Sequence, residues 1–480
     1  MSTPPAAVAA TARVTHPVSD PHREVLRGWG RTHTACCSVL RPTDLAALTA
    51  TVADAAGVVL ARGAGCAYGD AATRRSGTVI DVSGLNRLVS LDDDRGIVVV
   101  EAGMTLGELV RILSPRGWTP PVLPGTPHVS VGGAVAADIH GKNHVGAGSF
   151  GRHVRWLVVL DADGESRMLT PGRDHDLFWA TVGGMGLTGI ITTVALQLLP
   201  TGPGAASTMR QRAGDLGAVL DQLESTAVEQ RSDPLLHSVA WLEGTAPRGV
   251  RGRGLVQTTR VPGREVGAGP AATRPGAGAL RRPGRDGRSL PGAGVVGRAG
   301  IVLANRARWA VPIPRLPRTS SIPSALQPLR RGELWPALFG REGLVQYQFV
   351  VPTTSVAVIG VALDLLAEHR TPPALAVLKR LGPADPGPLT FAMEGWTLAL
   401  DLPARWPGLE LALGDLDEVV AAAHGRVYLA KDSRLPAESL ALMYPRLGEW
   451  QQARTLMDPR GAFGSDLSRR LRLAPQRATS

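Results

Sequence analysis

A chain of 480 residues with 44% hydrophobic and 19% charged residues has the make-up of a globular protein of roughly two to three domains. Collagen-like, coiled-coil and wholly disordered classes are excluded, because neither their periods nor their polarity is present. The net charge of +11 is local: residues 248–331 hold 17 arginines and no lysine against two acids, Glu265 and Asp286, so the remainder of the chain is weakly acidic. With Trp309 as its only aromatic, that basic stretch lacks the interleaved rings of a nucleic-acid groove, and no nucleic-acid partner is expected. No apolar run reaches the ~18 residues of a spanning helix. The first 25 residues lack the basic start and apolar centre of a secretory leader. Three cysteines, Cys36, Cys37 and Cys66, supply neither a disulfide framework nor a metal cage.

In chain order, residues 1–25 read as a disordered Pro/Ala tail. A helix capped by Thr43 runs to Gly57, and a buried strand at 58–63 leads into a glycine turn. Strands follow at 78–83 and 97–103, then a helix over 105–117 stopped by its own Gly117. The Asp163-Gly164 pair between apolar runs predicts a hairpin over 154–170, and 189–200 closes the region as a strand. This first domain, 26–200, is α+β without a regular βαβ cadence. A second domain spans 201–425. Within it, alternation marks 344–352 as a half-buried strand. A helix at 355–370, strands at 374–382 and 396–403, a helix at 413–425, a strand at 426–433 and a helical end at 465–473 complete the chain. Residues 248–331 suit a mobile loop whose arginines meet a lipid phosphate, a solvated disordered insertion, or out-of-frame coding sequence. No residue in them is taken as a site.

Three glycine-bearing clusters in the first domain need a joint explanation. One is Arg62-Gly63-Ala64-Gly65-Cys66-Ala67-Tyr68-Gly69-Asp70. The second runs from Leu123-Pro124-Gly125-Thr126 through Val131-Gly132-Gly133-Ala134 to Asp138-Ile139-His140-Gly141-Lys142-Asn143. The third is Gly183 to Ile191 (GGMGLTGII). Glycine lets main chain turn sharply and aim its amides at an anion. Three such clusters at strand ends imply a long ligand gripped by backbone, such as a dinucleotide. The first is not G-x-G-x-x-G and opens no helix, so it is not a Rossmann turn, and no phosphate-binding P-loop motif occurs.

The order RGxG…YGD, LPGT…VGGA…HGKN, VGGxGLTGI resembles the FAD-binding domain of the vanillyl-alcohol oxidase/p-cresol methylhydroxylase superfamily. DIHGKNH and AKDSR are similar to its decaprenylphosphoryl-β-D-ribose 2′-oxidase branch. The resemblance runs from Gly28-Trp29-Gly30-Arg31 through Pro200 and resumes from LVQYQFV to DPRGAFGSDLSRRL. It implies a two-subdomain FAD-binding domain, a substrate domain on an antiparallel sheet flanked by helices, and a return of residues 426–480 to the first domain. It also implies that Arg62 to Asp70 hold the pyrophosphate, with Tyr68 near the ring and among the catalytic candidates. Gly125, Ser130, Val131, Gly132 and Gly133, with Ala137, Asp138, Ile139 and His140, would line the flavin. Ile191 would meet the adenine end and Tyr428 would reach in from the C-terminal return. Some relatives attach flavin to a histidine where this chain has Cys66; the branch does not, so dissociable FAD is expected, a cysteinyl link being the other option.

The branch implies oxidation of the 2′-hydroxyl of a polyprenylphosphoryl ribose, the first half of an epimerisation that supplies arabinose for cell-wall arabinan. A separate NAD(P)H-dependent reductase would complete it, and a lipid substrate implies peripheral contact with the plasma membrane. A soluble sugar or alditol oxidase is the alternative. The chemistry needs a base or an oxyanion stabiliser beside the reacting hydroxyl. Lys431 is the candidate, either neutral and accepting the proton or charged and stabilising the oxyanion, unless Asp432 simply pairs with it. His140 is a second candidate, more suited to hydrogen-bonding the flavin. The family pattern points Lys142, Gln346, Gln348 and Lys379 at the sugar-phosphate; Gln346 and Gln348 share one face of their strand, with Tyr347 on the other. Two positions depart from the pattern: Thr397 stands where the branch has asparagine and Ala399 where many members have the cysteine trapped by nitro-aromatic inhibitors. Activity without that trapping is expected.

Overall fold

The computed structural model describes residues 22–55, 57–264, 297–329 and 334–473. Residues 1–21 of the expected tail and residues 265–296 of the arginine-rich stretch lie outside the described residues.

A small mixed sheet comes first. β1 (His22–Arg27) pairs antiparallel with β2 (Thr34–Leu40), so residues 22–25, expected in the tail, are strand. After α1 (Leu45–Ala53), β3 (Val59–Arg62) and β4 (Thr78–Asp81) complete the order β1-β2-β4-β3, with β2 and β3 both parallel to β4. The cap of α1 is Asp44, not Thr43: the Asp44 carboxylate accepts from the Ala47 amide at 2.9 Å, meeting an amide the helix leaves unpaired.

The second sheet is antiparallel throughout. β5 (Leu88–Asp92), β6 (Ile97–Glu101), α2 (Leu106–Leu113) and β7 (Trp118–Thr119) lead to the short helices α3 (Val131–Ala136) and α4 (His144–Ala147). β8 (Val154–Leu160), β9 (Ser166–Leu169), α5 (His175–Thr181), β10 (Ile190–Gln197) and β11 (Leu199–Pro200) follow, giving the order β5-β6-β10-β8-β9 and a separate β7–β11 pair. Helix α2 starts at a Thr105/Glu108 capping box. Gly117 ends its turn at φ +75° and Gly164 turns the β8–β9 hairpin at φ +82°, both in the left-handed region that glycine alone enters without strain. Val98, Val100, Leu109, Val135, Leu157 and Val194 fill the core beneath this sheet, each buried side chain contributing about 1.5–3 kcal/mol.

The third sheet is the largest. β12 (Ala206–Ala213), α6 (Leu216–Gln230), β13 (Leu236–Leu242) and β14 (Gly254–Arg260) precede α7 (Arg298–Ala310), β15 (Arg318–Ser320) and α8 (Ile322–Leu326). β16 (Leu344–Pro352), α9 (Val358–Glu368), β17 (Leu375–Leu381), β18 (Gly395–Pro403), α10 (Leu409–Ala422) and β19 (Arg426–Val427) complete it. The strand order is β15-β12-β14-β13-β17-β18-β16-β19, every pair antiparallel. α6, α9 and α10 cover one face through Leu223, Leu363 and Leu416 against Val256, Phe349 and Leu398. The architecture is α+β, as expected.

Expected disorder over 248–331 fails for the described part. β14 is an interior strand with seven paired positions on each side. Ile301 of α7 and Leu326 of α8 are buried. Composition averaged over 84 positions hides these short apolar patterns, because long-range sheet pairing, not local propensity, fixes β14. The expected strand at 426–433 is also shorter: after Val427 the chain turns, and the Lys431 and Asp432 amides both donate to the Tyr428 carbonyl.

The last elements, α11 (Ala437–Met443), α12 (Leu447–Met457) and α13 (Asp466–Arg470), bring the chain back to the first sheet. Val59 donates to the Ala462 carbonyl and Gly464 to the Val59 carbonyl. Arg454, 1% exposed, donates to the Leu187 carbonyl and pairs with Asp458. Among the described residues no helix is long and apolar enough to cross a membrane.

Candidate active site

A cavity of about 980 Å³ lies between the first two sheets and the uncovered face of the eight-stranded sheet. Its first wall is main chain. The turn after β3 contributes Arg62, Gly63, Ala64, Gly65, Cys66, Ala67 and Tyr68; the α3 region contributes Gly125, Ser130, Gly132, Gly133, Ala137, Ile139 and His140; Met185, Gly186, Gly189 and Ile191 close one end. Close approach explains two of the glycines. A Cβ on Gly63 would lie 2.2 Å from Ser130 Oγ, and one on Gly132 would lie 2.8 Å from the Ala102 Cβ. No acceptor among the described residues takes the amides of Ala64, Gly65, Cys66 or Ala67, so they are available to a ligand's anionic groups. Arg62 is spent on the fold, donating to the carbonyls of Ala72 and Arg27. Burial pushes the Cys66 thiol up to about 11, which keeps it protonated and a poor nucleophile.

Four residues expected on this wall stand behind it. Gly69 lets the Asp432 carbonyl approach, 2.0 Å from where a Cβ would sit. Asp70 takes both arms of Arg470 at 2.8 Å. Val131 is core. Asp138 accepts from the Gly151 amide at 2.9 Å and the Thr390 hydroxyl at 3.3 Å, and burial beside Asp385 lifts its carboxyl to about 7. Tyr428 does reach the cavity; its hydroxyl donates to the Ala137 carbonyl at 2.8 Å, and its ring stacks on Phe391.

The second wall is side chain, standing on one face of the eight-stranded sheet. Directly opposed residues of antiparallel strands share a face. The register therefore brings Gln346 of β16 to Asp401 of β18, Gln348 to Ala399, and Lys379 of β17 to Thr397. Gln346 Nε2 donates to the Tyr68 hydroxyl at 3.1 Å and to Asp401, whose other oxygen accepts from Trp335 Nε1 at 2.7 Å. Gln348 reaches His140 Nε2 at 2.9 Å and the Thr397 hydroxyl at 3.1 Å. Tyr347 points the other way, to Asp417. Ala399 lines the cavity with a methyl group, while Thr397 lies behind Gln348 and does not line it.

The chain has only three lysines, Lys142, Lys379 and Lys431, against 49 arginines, and all three line this cavity. Arginine holds its proton at any working pH, whereas a desolvated lysine can release it. Burial lowers Lys431 to about 8, with Asp401 and Cys66 opposing the shift. Burial, then Lys142 and Lys431, lowers Lys379 to about 7, and burial lowers Lys142 to about 8. Lys431 Nζ sits 3.8 Å from the centroid of the Tyr68 ring. Asp432 does not pair with it, being held by Arg470 at 2.8 Å. Lys142 donates to the Leu326 carbonyl at 3.2 Å. His140 has both ring nitrogens engaged, by Gln348 and by Lys379 Nζ at 3.3 Å, and burial pushes it well below the ordinary histidine value. The neutral ring thus contacts both Gln348 and Lys379.

Sequence reasoning missed Asp401, which joins the site through strand register, and Trp335, which reaches Asp401 from the turn before β16. It also excluded the arginine-rich stretch, which contributes Leu255, Gln257, Arg308, Ile313 and Arg318 to the wall. The lysine scarcity was the available signal that went unused.

A model of the FAD binding domain family matches residues 38–170, and one of the D-arabinono-1,4-lactone oxidase family matches 413–471. A decaprenylphosphoryl-β-D-ribose oxidase of Mycolicibacterium smegmatis is 37% identical over 93% of this chain and 97% of its own. An uncharacterised Streptomyces coelicolor protein is 37% identical over 77% of this chain and all of its own. An alditol oxidase of a Streptomyces species is 30% identical over 34% of this chain and 39% of its own. The first match contains the turn with the unpaired amides of Ala64 to Ala67 and the α3 region, so the residues present fit FAD.

Proposed function

The chain belongs to the decaprenylphosphoryl-β-D-ribose oxidase family and is an FAD-dependent oxidoreductase; from that premise we propose that it oxidises the 2′-hydroxyl of a polyprenylphosphoryl ribose to a ketone. The observation that carries this reading is the convergence of all three lysines on one cavity next to the amide-lined wall. Bound FAD supplies the hydride acceptor. The amides of Ala64 to Ala67 would hold its pyrophosphate, and Gly125, Ser130, Gly132, Gly133, Ala137, Ile139, His140, Ile191 and Tyr428 would enclose the rest, without a covalent link at Cys66.

Lys431 is the group proposed to take the hydroxyl proton. Its value near 8 places a usable neutral fraction at working pH, which is where a general base is most effective. Tyr68 fixes the ammonium or amine by its ring face, and Gln346 holds the Tyr68 hydroxyl. Lys142 and Lys379 would bind the substrate phosphate as point charges, with Gln346 and Gln348 on the sugar. Ala399 offers no thiol to electrophiles. The product ketone would pass to a separate NAD(P)H-dependent reductase, completing inversion toward the arabinose donor of cell-wall arabinan, and the lipid substrate places the protein at the plasma membrane surface.

The test is anaerobic bleaching of the bound flavin. Addition of polyprenylphosphoryl ribose is expected to bleach it within a turnover. Bleaching by a simple alditol and not by the ribosyl lipid would overturn the reading in favour of a soluble sugar or alditol oxidase.

A further inference from the structure

Five of the sixteen large hydrophobic side chains that are exposed among the described residues fall between positions 303 and 334: Leu303, Val311, Leu316, Leu329 and Leu334. Leu316, 80% exposed, is the most exposed of the sixteen. Leu303, Val311 and Leu316 belong to one arm, α7 followed by the strap Val311-Pro312-Ile313-Pro314-Arg315-Leu316-Pro317. Ile301 and Asn305 turn one side of α7 inward. Leu303, Arg306 and Ala310 share the opposite side by the 3.6-residue period. The strap's three prolines lack the amides a strand partner would need, so this apolar segment is protected from edge-to-edge pairing while staying exposed.

Charge accompanies the apolar surface. Residues 297–329 contain five arginines and no acidic residue. Arg298 and Arg308 are laid over the rings of Trp406 and Trp241, and Arg306, Arg315 and Arg318 are exposed. The arm also has an inner side: Val311, Pro312, Ile313 and Pro314 line the same cavity as the lysines, above Trp241, Leu255 and Val377 of the sheet floor. One short segment thus presents apolar groups and arginines to the outside, and to the cavity apolar groups with Arg308 and Arg318.

We propose that the α7–strap arm is the surface by which the protein docks on an anionic lipid bilayer, with the cavity opening beneath the strap. The proposal rests on the lipid-linked substrate named above. Exposed leucines enter the interfacial region while arginines meet lipid phosphates, the combination by which a protein without a spanning helix holds a membrane surface. Contact there would pass a prenyl chain from bilayer to cavity without exposing it to water.

The full-length flavoprotein is tested by flotation with vesicles of phosphatidylcholine alone and of phosphatidylcholine with phosphatidylglycerol, at low and high salt. Binding to the anionic vesicles is expected to be more than about tenfold tighter, falling with salt. The pairs Leu303→Asp with Leu316→Asp, and Arg306→Gln with Arg315→Gln, are each expected to weaken it at least about tenfold. None of those four residues lines the cavity, so turnover of a water-soluble, three-isoprene phosphoryl ribose should stay within about twofold. Unchanged vesicle binding in both pairs overturns the proposal. So does a wild type that ignores vesicles but loses self-association, by light scattering, in the leucine pair. Vesicle binding is read without turnover, so absence of bleaching by the ribosyl lipid would sink the substrate assignment and leave the docking result standing.

Discussion

On one side of the cavity the contacts are main chain, packed so closely that an added methyl group collides with Ser130 or Ala102. On the other side they are side chains on an antiparallel sheet, where Lys379, Gln348 and Gln346 stand in register with Thr397, Ala399 and Asp401. The first wall reads a ligand by shape and amide direction, and it tolerates few substitutions. The second reads a ligand by charge and hydrogen bonding, and single positions on it can change without moving the backbone. The departure at 399 falls on the second wall and the one at 397 directly behind it, under Gln348. On the proposed function, binding of a constant cofactor and selection among substrates are separated in space.

Lys431→Met should sharpen that contrast most. Flavin reduction is expected to slow about 10²- to 10⁴-fold while the protein stays yellow, measured by stopped-flow absorbance; colourless protein would mean that Lys431 belongs to the cofactor wall. Gly69→Ala comes next. It does not line the lysine-bearing cavity, yet its Cβ would meet the Asp432 carbonyl, and destabilisation of about 1–3 kcal/mol is expected in thermal unfolding.

The pH profile probes chiefly the lysines of the side-chain wall, although Asp138 behind the other wall titrates near 7. If neutral Lys431 accepts the proton, the reduction rate rises with pH through about 8 and levels off above it. KM for the phosphorylated substrate rises over the same range as Lys379, near 7, and Lys142, near 8, lose charge. Asp401 holds Lys431 up, so Asp401→Asn is expected to move the rate edge to lower pH, and Lys431→Arg, which cannot deprotonate, should lack the edge. The smallest effect belongs to the main-chain wall: Ser130→Ala removes the cap of α3, whose hydroxyl accepts from Gly133 at 3.3 Å, for about 1 kcal/mol.

Legibility in the sequence follows the same division. The β8–β9 hairpin and α2 were readable because Asp163-Gly164 and Thr105…Glu108 act within a few residues. The amide-lined turn was readable because glycine is informative wherever chains approach closely. Gln346 with Asp401, and Trp335 with Asp401, were not, since partners 55 and 66 positions apart meet only after strand register and the turn before β16 are set. β14 and α7 were hidden by arginine, glycine and proline on either side. Asp70 and Asp138 look like ligands in a glycine-rich motif, yet Arg470 and Thr390, hundreds of residues later, claim them.

The confinement of lysine to the cavity has a practical edge. Reagents that acylate ε-amines, the usual means of fixing a protein to a bead, a dye or a sensor chip, have no lysine target on this molecule outside its working centre. Coupling through them would modify the very cavity the protein was meant to display, a bound ligand would shield it, and lysine labelling would count the unoccupied centres, up to three amines in each.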